Sequence, residues 1–289
     1  MVSPATSKIS FDKVTFKQAM PLLQVVARHL VAVVLHVGLA GQTLCCLVLD
    51  IIQAIAASVR SRSRRCGISL AARNYFDGKT VWITGASSGI GRSVATELAN
   101  LNATSTTRGS MRLVLMGRSP ERLAPVQKTV EDRVSEVVCA TVDMADAESV
   151  KTFVDRHGST HCPDVVILCA GISQRSSCAD LTMETLDTIM RTNFVGPVQL
   201  AKAAVPLMTV TKKMSPPHRA KGKARKNICV VSSVQGLISI PFRSGYSASK
   251  HALNAYFESL RAELSASLEH NVQVTIVSPG SCFATHTQF

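Results

Sequence analysis

The chain has 289 residues, of which 46% are hydrophobic and 18% are charged, a composition that excludes a wholly disordered protein. The length suits one large domain with an appendage. The formal net charge is +13, but eleven of the excess positive charges lie in two acid-free runs, Arg60–Arg65 and Lys212–Lys226. Aromatic residues make up only 4% and do not interleave with these runs, so no nucleic-acid partner is expected.

The nine cysteines give no sign of a metal site. They include no CxxC or CxxxC pair, so a zinc site is disfavoured and no metal ligand is predicted. Several lie within apolar runs, where thiols act as small core residues and fit a reducing compartment. The nine are Cys45, Cys46, Cys66, Cys139, Cys162, Cys169, Cys178, Cys229 and Cys282.

The N-terminal part is predicted to attach the protein to a membrane. Residues 1–18 read as a polar tail, 19–57 as a membrane-anchor helix region and 58–77 as a basic linker. Residues 30–49 carry no formal charge, and a helix of that length spans about 30 Å, the thickness of a hydrocarbon core. The cationic run that follows favours a cytosolic main domain. The alternative is an amphipathic helix that lies on the membrane surface or against the domain.

Residues 78–289 are predicted to form one α/β domain. Short apolar strands alternate with helical patterns, which indicates a Rossmann-type, doubly wound parallel sheet with helices on both faces. The strands are expected at 79–85, 112–116, 136–142, 164–168, 228–231 and 272–277. The helices are expected from about 90 and at about 120–134, 146–157, 181–209 and 244–268.

A glycine-rich turn follows the first predicted strand. Its glycines allow a tight strand-to-helix turn and a close approach of the backbone to a pyrophosphate, which then lies on free N–H groups at a helix N-terminus. Because the turn follows a strand, opens a helix and starts a βα series, dinucleotide binding is favoured over an ordinary turn. The residues predicted to bind the cofactor here are Gly85, Ser87, Ser88, Gly89, Ile90 and Gly91.

The end of the second predicted strand indicates which dinucleotide is bound. A site for NAD usually places a carboxylate there for the ribose 2′-hydroxyl. This chain has Met116-Gly117-Arg118 instead, and a guanidinium pairs well with a 2′-phosphate. NADP(H) is therefore the predicted cofactor.

A second constellation predicts proton-transfer chemistry. Tyr246 and Lys250 are four residues apart and share a face of a predicted helix. A free phenol is a poor acid or base at neutral pH, and a nearby ammonium lowers its pKa. Ser233, 13 residues upstream at the end of a strand, is placed to hydrogen-bond a substrate oxygen beside the phenol.

With these motifs in place, the chain from about Phe76 to Gly280 resembles the short-chain dehydrogenase/reductase family. The resemblance rests on Thr84–Gly91, Thr192-Asn193-Phe194, Ser233 and the Tyr246/Lys250 pair. It implies that Tyr246 is the catalytic acid/base, that Lys250 tunes it and holds the nicotinamide ribose, and that Ser233 positions the carbonyl. Asn193 would help to hold a water in a proton relay. The resemblance also adds Asp143, Ala170, Gly171, Pro279 and Gly280 to the cofactor site.

Two further segments, Cys169–Arg175 and Ser239–Tyr246, resemble a membrane-attached subgroup of that family. This resemblance implies a hydrophobic or lipid-like ketone substrate, such as acyl- or alkyl-dihydroxyacetone phosphate. It further implies a homodimer or homotetramer on the endoplasmic reticulum or a peroxisome-like organelle, with the membrane contacted through residues 30–49.

The chain departs from the family pattern in three places. Cys169 stands where the family has Asn, and Ala284 stands at the usual Thr position, with Thr285 one residue late. The chain ends at Phe289, so a domain without the family's last helix and last strand is expected. Two hypotheses therefore stay open: an active reductase, or a membrane-bound nucleotide-binding scaffold without turnover.

Overall fold

The computed structural model describes residues 72, 74–103, 110–209, 226–266 and 272–280. Within these ranges six strands form one sheet in which every neighbouring pair is parallel. The strands are β1 (Thr80–Thr84), β2 (Arg112–Gly117), β3 (Glu136–Thr141), β4 (Val165–Leu168), β5 (Lys226–Val231) and β6 (Val272–Val277). Their order is β3-β2-β1-β4-β5-β6. The order reverses between β1 and β4, where sheets of this kind form a ligand crevice.

Six α-helices connect the strands: α1 (Gly89–Ala103), α2 (Pro120–Val130), α3 (Ala147–His157), α4 (Met183–Met190), α5 (Gly196–Thr209) and α6 (Ser244–Ala266). Short 3₁₀ turns lie at Glu131–Arg133 and Val234–Gly236. Side-chain caps begin several helices. Ser119 accepts a hydrogen bond from the Arg122 N–H at the start of α2, and Asp146 accepts one from the Glu148 N–H at the start of α3.

The inner strands β1 and β4 are buried on both faces, as the sequence predicted, whereas the edge strand β6 alternates between buried and more exposed residues. All five residues of β1 are buried, because side chains alternate between two apolar layers. Trp82 packs with Phe153 and Phe257 on one face, and Ile83 packs with Leu115 and Leu123 on the other. The prediction of a Rossmann-type parallel sheet is confirmed.

One predicted helix is divided in the structure. The pattern over 181–209 reads as a single helix, but a π-helical turn, Arg191–Val195, separates α4 from α5. Gly196 follows this turn, and a side chain there would collide with the carbonyl group of Met144. The break therefore accompanies a close tertiary packing contact, which helical periodicity does not reveal.

Some predictions lie outside the described residues. These include the tail and the anchor helix at 30–49, most of the basic linker, and the positions of Ala284 and Thr285. Among the helices that the structure does describe, none is both long enough and apolar enough to cross a bilayer.

Candidate active site

The glycine-rich turn carries the chain from β1 into α1 through two left-handed residues. Gly85 has φ +66° and Gly89 has φ +51°, values that side chains other than glycine rarely adopt. A Cβ on Gly85 would lie 2.9 Å from the Ala170 Cα, and one on Gly91 would collide with the Gly85 carbonyl. The turn thus lies directly against the end of β4, with the N-terminus of α1 beside it.

A groove opens where β1, β2, β3 and β4 end. It contains seven of the residues predicted to bind the cofactor: Gly85, Ser87, Ser88, Arg118, Asp143, Ala170 and Gly171. Gly89, Ile90 and Gly91 form the turn and the first residues of α1 beside it. The groove is also lined by Ser119 and Arg122, which were not among the predicted cofactor-binding residues. Their signal was present, because Ser119-Pro120 begins a helix and places Arg122 in its first turn.

Asp143 lies at the edge of this groove beyond β3 and is held in place locally. Its backbone N–H donates to the Ser149 hydroxyl at 3.0 Å, and its carboxylate accepts from the Ala145 N–H at 2.9 Å. One carboxylate oxygen is thus committed to a turn, while the residue still faces the groove.

The floor of the groove is fixed by Thr84. Its hydroxyl accepts hydrogen bonds from the N–H groups of Cys169 and Ala170, each at 3.0 Å. Burial raises the pKa of the Cys169 thiol to about 12, so this side chain stays protonated and unreactive. The loop after β4 is therefore held through its backbone where the family has an Asn side chain.

Lys250 and Tyr246 lie on one face of α6. The Lys250 ammonium nitrogen is 5.8 Å from the centre of the Tyr246 ring and donates to the Val231 carbonyl at 3.0 Å. Lys250 is only 4% exposed, and this burial lowers its pKa to about 8. Tyr246 is anchored at its backbone, where its N–H donates to Gln174 Oε1 at 3.2 Å.

Ser233 lies just beyond β5, on a turn that packs against α6. Its hydroxyl accepts from the Gln235 N–H at 3.2 Å and begins the 3₁₀ turn. A Cβ on Gly236 would be 2.7 Å from Asn254 Nδ2, so this turn lies tightly against the helix that carries Tyr246. The Val234 N–H donates to the Pro279 carbonyl at 2.9 Å, which joins the segment after β6, including the predicted Pro279 and Gly280, to the same region.

Asn193 is fully buried within the π-helical turn. Its Oδ1 accepts from the Ile172 N–H at 2.8 Å, and its Nδ2 donates to the Ile172 carbonyl at 2.8 Å and to the Ser249 hydroxyl at 3.0 Å. Both amide hydrogens are therefore engaged within the protein. Pro197 has no N–H to bond the Asn193 carbonyl in α-helical fashion. Because the Asn193 amide hydrogens are both engaged, its backbone carbonyl is the group we consider for the predicted water contact, which stays a prediction.

The fold and this groove define the chain as a doubly wound α/β protein of the Rossmann class. A family model described as "short chain dehydrogenase" matches residues 79–288. The chain is also 39% identical over 214 residues to "Dehydrogenase/reductase SDR family member 7B" of Xenopus tropicalis, and 37% identical over 218 residues to the protein of that name from Bos taurus. The chain belongs to the short-chain dehydrogenase/reductase family of oxidoreductases, which confirms the family predicted from the sequence, and it resembles member 7B of that family.

The alignments cover 71% and 72% of this chain but only 62% and 59% of those two relatives, so the chain spans about three fifths of their length. Solved structures agree on the fold. A metagenomic short-chain oxidoreductase in complex with NADP has a TM-score of 0.60 at 26% identity, over 72% of this chain and 85% of that one. A Burkholderia phymatum short-chain dehydrogenase/reductase in complex with NAD has a TM-score of 0.60 at 25% identity, over 71% and 66%.

Proposed function

We propose that the protein is an NADP(H)-dependent oxidoreductase that reduces a ketone, or oxidises a secondary alcohol, of a hydrophobic or lipid-like substrate. The observation that carries the proposal is the buried Lys250 beside Tyr246 on α6. The pair lies next to the groove between β1 and β4, where the strand order reverses. A buried cation beside a phenol favours the phenolate and so makes the phenol a stronger acid.

The groove fits NADP(H) through its backbone and its charges. The N-terminus of α1 offers free N–H groups and a positive dipole to a diphosphate. Arg118 and Arg122 line the groove beside the end of β2 and supply two guanidinium groups for a 2′-phosphate. One similar structure holds NADP and another holds NAD, so the proposed preference of this chain for NADP(H) over NAD(H) rests on Arg118 and Arg122. Bound NADPH would supply the hydride to the carbonyl carbon.

The side chains of this chain would supply the rest of the reaction. Ser233 would donate a hydrogen bond to the substrate carbonyl oxygen and hold it beside the Tyr246 hydroxyl. As the carbonyl carbon accepts a hydride, its oxygen would accept the proton of the phenol. Lys250 keeps its charge below about pH 8, because that is where burial places its pKa. The Asn193 carbonyl would hold a water that returns the proton to Tyr246.

Two exposed apolar side chains support a hydrophobic substrate. Leu237 and Phe242 are 63% and 60% exposed, and both lie on the segment that links Ser233 to Tyr246. Apolar area of this kind beside a reaction site favours an apolar ligand. The resemblance to member 7B makes acyl- or alkyl-dihydroxyacetone phosphate the substrates to try first. Membrane attachment through residues 30–49 and a homodimer or homotetramer belong to the same proposal.

The test is NADPH oxidation by the full chain with a panel of hydrophobic ketones, compared with Tyr246→Phe. We expect kcat to fall by roughly a hundredfold or more, because the proton donor is lost. Tyr256→Phe, on the same helix, is the matched control and should keep its activity. Unchanged turnover in Tyr246→Phe would remove Tyr246 from the mechanism. NADPH binding by fluorescence without turnover of any carbonyl would favour the scaffold hypothesis instead.

A further inference from the structure

A buried serine connects the catalytic helix to the groove. Ser249 is 0% exposed, and its hydroxyl donates to the Tyr246 carbonyl at 2.7 Å. The same oxygen accepts a hydrogen bond from Asn193 Nδ2 at 3.0 Å. Ser249 therefore joins the first turn of α6 to the π-helical turn that carries Asn193.

The connection continues from Asn193 to the wall of the groove. Asn193 bonds both the N–H and the carbonyl of Ile172, each at 2.8 Å, and Ile172 lines the groove. A Cβ on Gly171 would lie 3.3 Å from Asn193 Oδ1 and 3.7 Å from Lys250 Nζ, so little space separates these groups. Three segments of the chain, the loop after β4, the π-helical turn and α6, thus meet through two side chains.

Other serines of α6 show that the helix itself does not require this arrangement. Ser259 donates to the Ala255 carbonyl at 3.0 Å, and Ser265 donates to the Arg261 carbonyl at 2.7 Å. Both bonds are exposed, whereas Ser249 is buried and also accepts from Asn193. A serine bond to a preceding carbonyl adds little to helix stability. The second bond, to Asn193, is what distinguishes Ser249.

We infer that Ser249 is a positioning residue that sets the distance between Tyr246 and the cofactor groove. It does so because its hydroxyl connects the Tyr246 carbonyl to Asn193, which in turn is hydrogen-bonded to Ile172. The inference rests on the proposed oxidoreductase function, because the distance that it controls matters only when a substrate lies between Tyr246 and a nicotinamide. A small misplacement of a catalytic group reduces the rate of the chemical step more than it reduces binding.

Ser249→Ala in the full chain tests the inference. We expect kcat to fall roughly tenfold, while KM for the ketone and the NADPH dissociation constant change by less than about twofold. Ser249→Thr keeps the hydroxyl and should restore most of kcat. Ser259→Ala removes a similar hydroxyl from the same helix without touching Asn193, and it should match the unaltered protein.

A double-mutant cycle distinguishes an effect of Ser249 that acts through Asn193 from a general structural effect. If Ser249 acts through Asn193, then Ser249→Ala should change kcat by less than about threefold in an Asn193→Ala background. Equal effects in both backgrounds would overturn the inference. So would a folded Ser249→Ala variant with unaltered kcat, or a folded Ser249→Thr variant as slow as Ser249→Ala.

Hydrogen–deuterium exchange decides the inference without turnover. The Ile172 amide donates to Asn193, so Ser249→Ala should speed exchange in peptides that cover residues 170–175, and Ser259→Ala should not. Unchanged exchange would contradict the proposed connection. If the unaltered protein reduces no carbonyl, the proposed function fails while this measurement still tests the connection by itself.

Discussion

At the scale of single residues, the buried charge of Lys250 is proposed to assist catalysis, but the same burial destabilises the folded protein. Desolvation lowers its pKa from 10.5 to about 8, so between these pH values the unfolded chain binds more protons than the folded one. Stability therefore rises as the pH rises through this window, and below about pH 8 the full cost of the buried charge is present. A buried Lys250 is therefore unfavourable for folding, but it is well placed to make the phenol of Tyr246 more acidic.

Replacing Lys250 by Met should accordingly stabilise the protein and abolish reduction. We expect the free energy of unfolding at pH 7 to rise by about 1–3 kcal/mol, with part of the gain offset by the lost bond to Val231. Urea unfolding at pH 7 and pH 10 measures this, and the difference between the two proteins should shrink at pH 10. Lys202→Met, at an exposed lysine of α5, is the control. A destabilised Lys250→Met at both pH values would contradict the argument.

Arg118 should determine the preference between the two nicotinamide cofactors. Because a charge-assisted hydrogen bond to a phosphate contributes about 1.5–3 kcal/mol, Arg118→Ala should weaken NADPH binding by tenfold or more and leave NADH binding nearly unchanged. Fluorescence titration with both cofactors measures this. Arg156→Ala, at an exposed arginine on α3, should alter neither. An equal loss of affinity for both cofactors would show that Arg118 does not bind the 2′-phosphate.

At the scale of elements, the glycine-rich turn depends on two different properties of glycine. Gly91→Ala would bring a methyl group into the Gly85 carbonyl, and we expect it to lower the free energy of unfolding by about 2–3 kcal/mol. Gly89 has φ +51° but open space around its Cβ, so Gly89→Ala should lower it by only about 1 kcal/mol. Denaturant unfolding of both variants compares steric overlap with backbone strain. A larger effect at Gly89 would reverse this assignment.

A comparison of predicted and observed elements shows which parts of the fold local sequence patterns can predict. Five predicted strands coincide with the observed ones to within one residue, because buried parallel strands are short, apolar and bounded by polar turns. The remaining strand, β5, begins two residues before its predicted start. The π-helical turn was not predicted, because it accompanies the packing of Gly196 on Met144. The bond between Asn193 and Ser249 joins residues 56 apart in the chain, and no local pattern reports such a contact.

At the scale of the whole molecule, the two apolar layers determine which thiols can react. All five described cysteines are free, and only Cys178 is exposed. Burial raises the pKa of the thiols of Cys139, Cys162, Cys169 and Cys229. These four therefore hold little thiolate near neutral pH.

Iodoacetamide at pH 8 should therefore alkylate Cys178 first among the cysteines that the structure describes. Cys169 and Cys229 should react only once denaturant opens the sheet, because each needs both access and deprotonation. Peptide mass mapping over time measures the order. Native-state labelling of Cys169 as fast as that of Cys178 would mean that the loop after β4 opens far more often than its bonds to Thr84 imply.

The chain also contains its own optical probe. Trp82 is the single tryptophan; it is fully buried in β1, donates from Nε1 to the His161 carbonyl at 2.8 Å and packs edge-on against Phe153. Its emission therefore comes from one dry environment in the middle of the sheet, two residues before Thr84 at the groove. Unfolding should shift that emission to longer wavelength. A reduced nicotinamide bound at the end of the same strand should quench it by energy transfer, so folding and cofactor occupancy can be followed without a label.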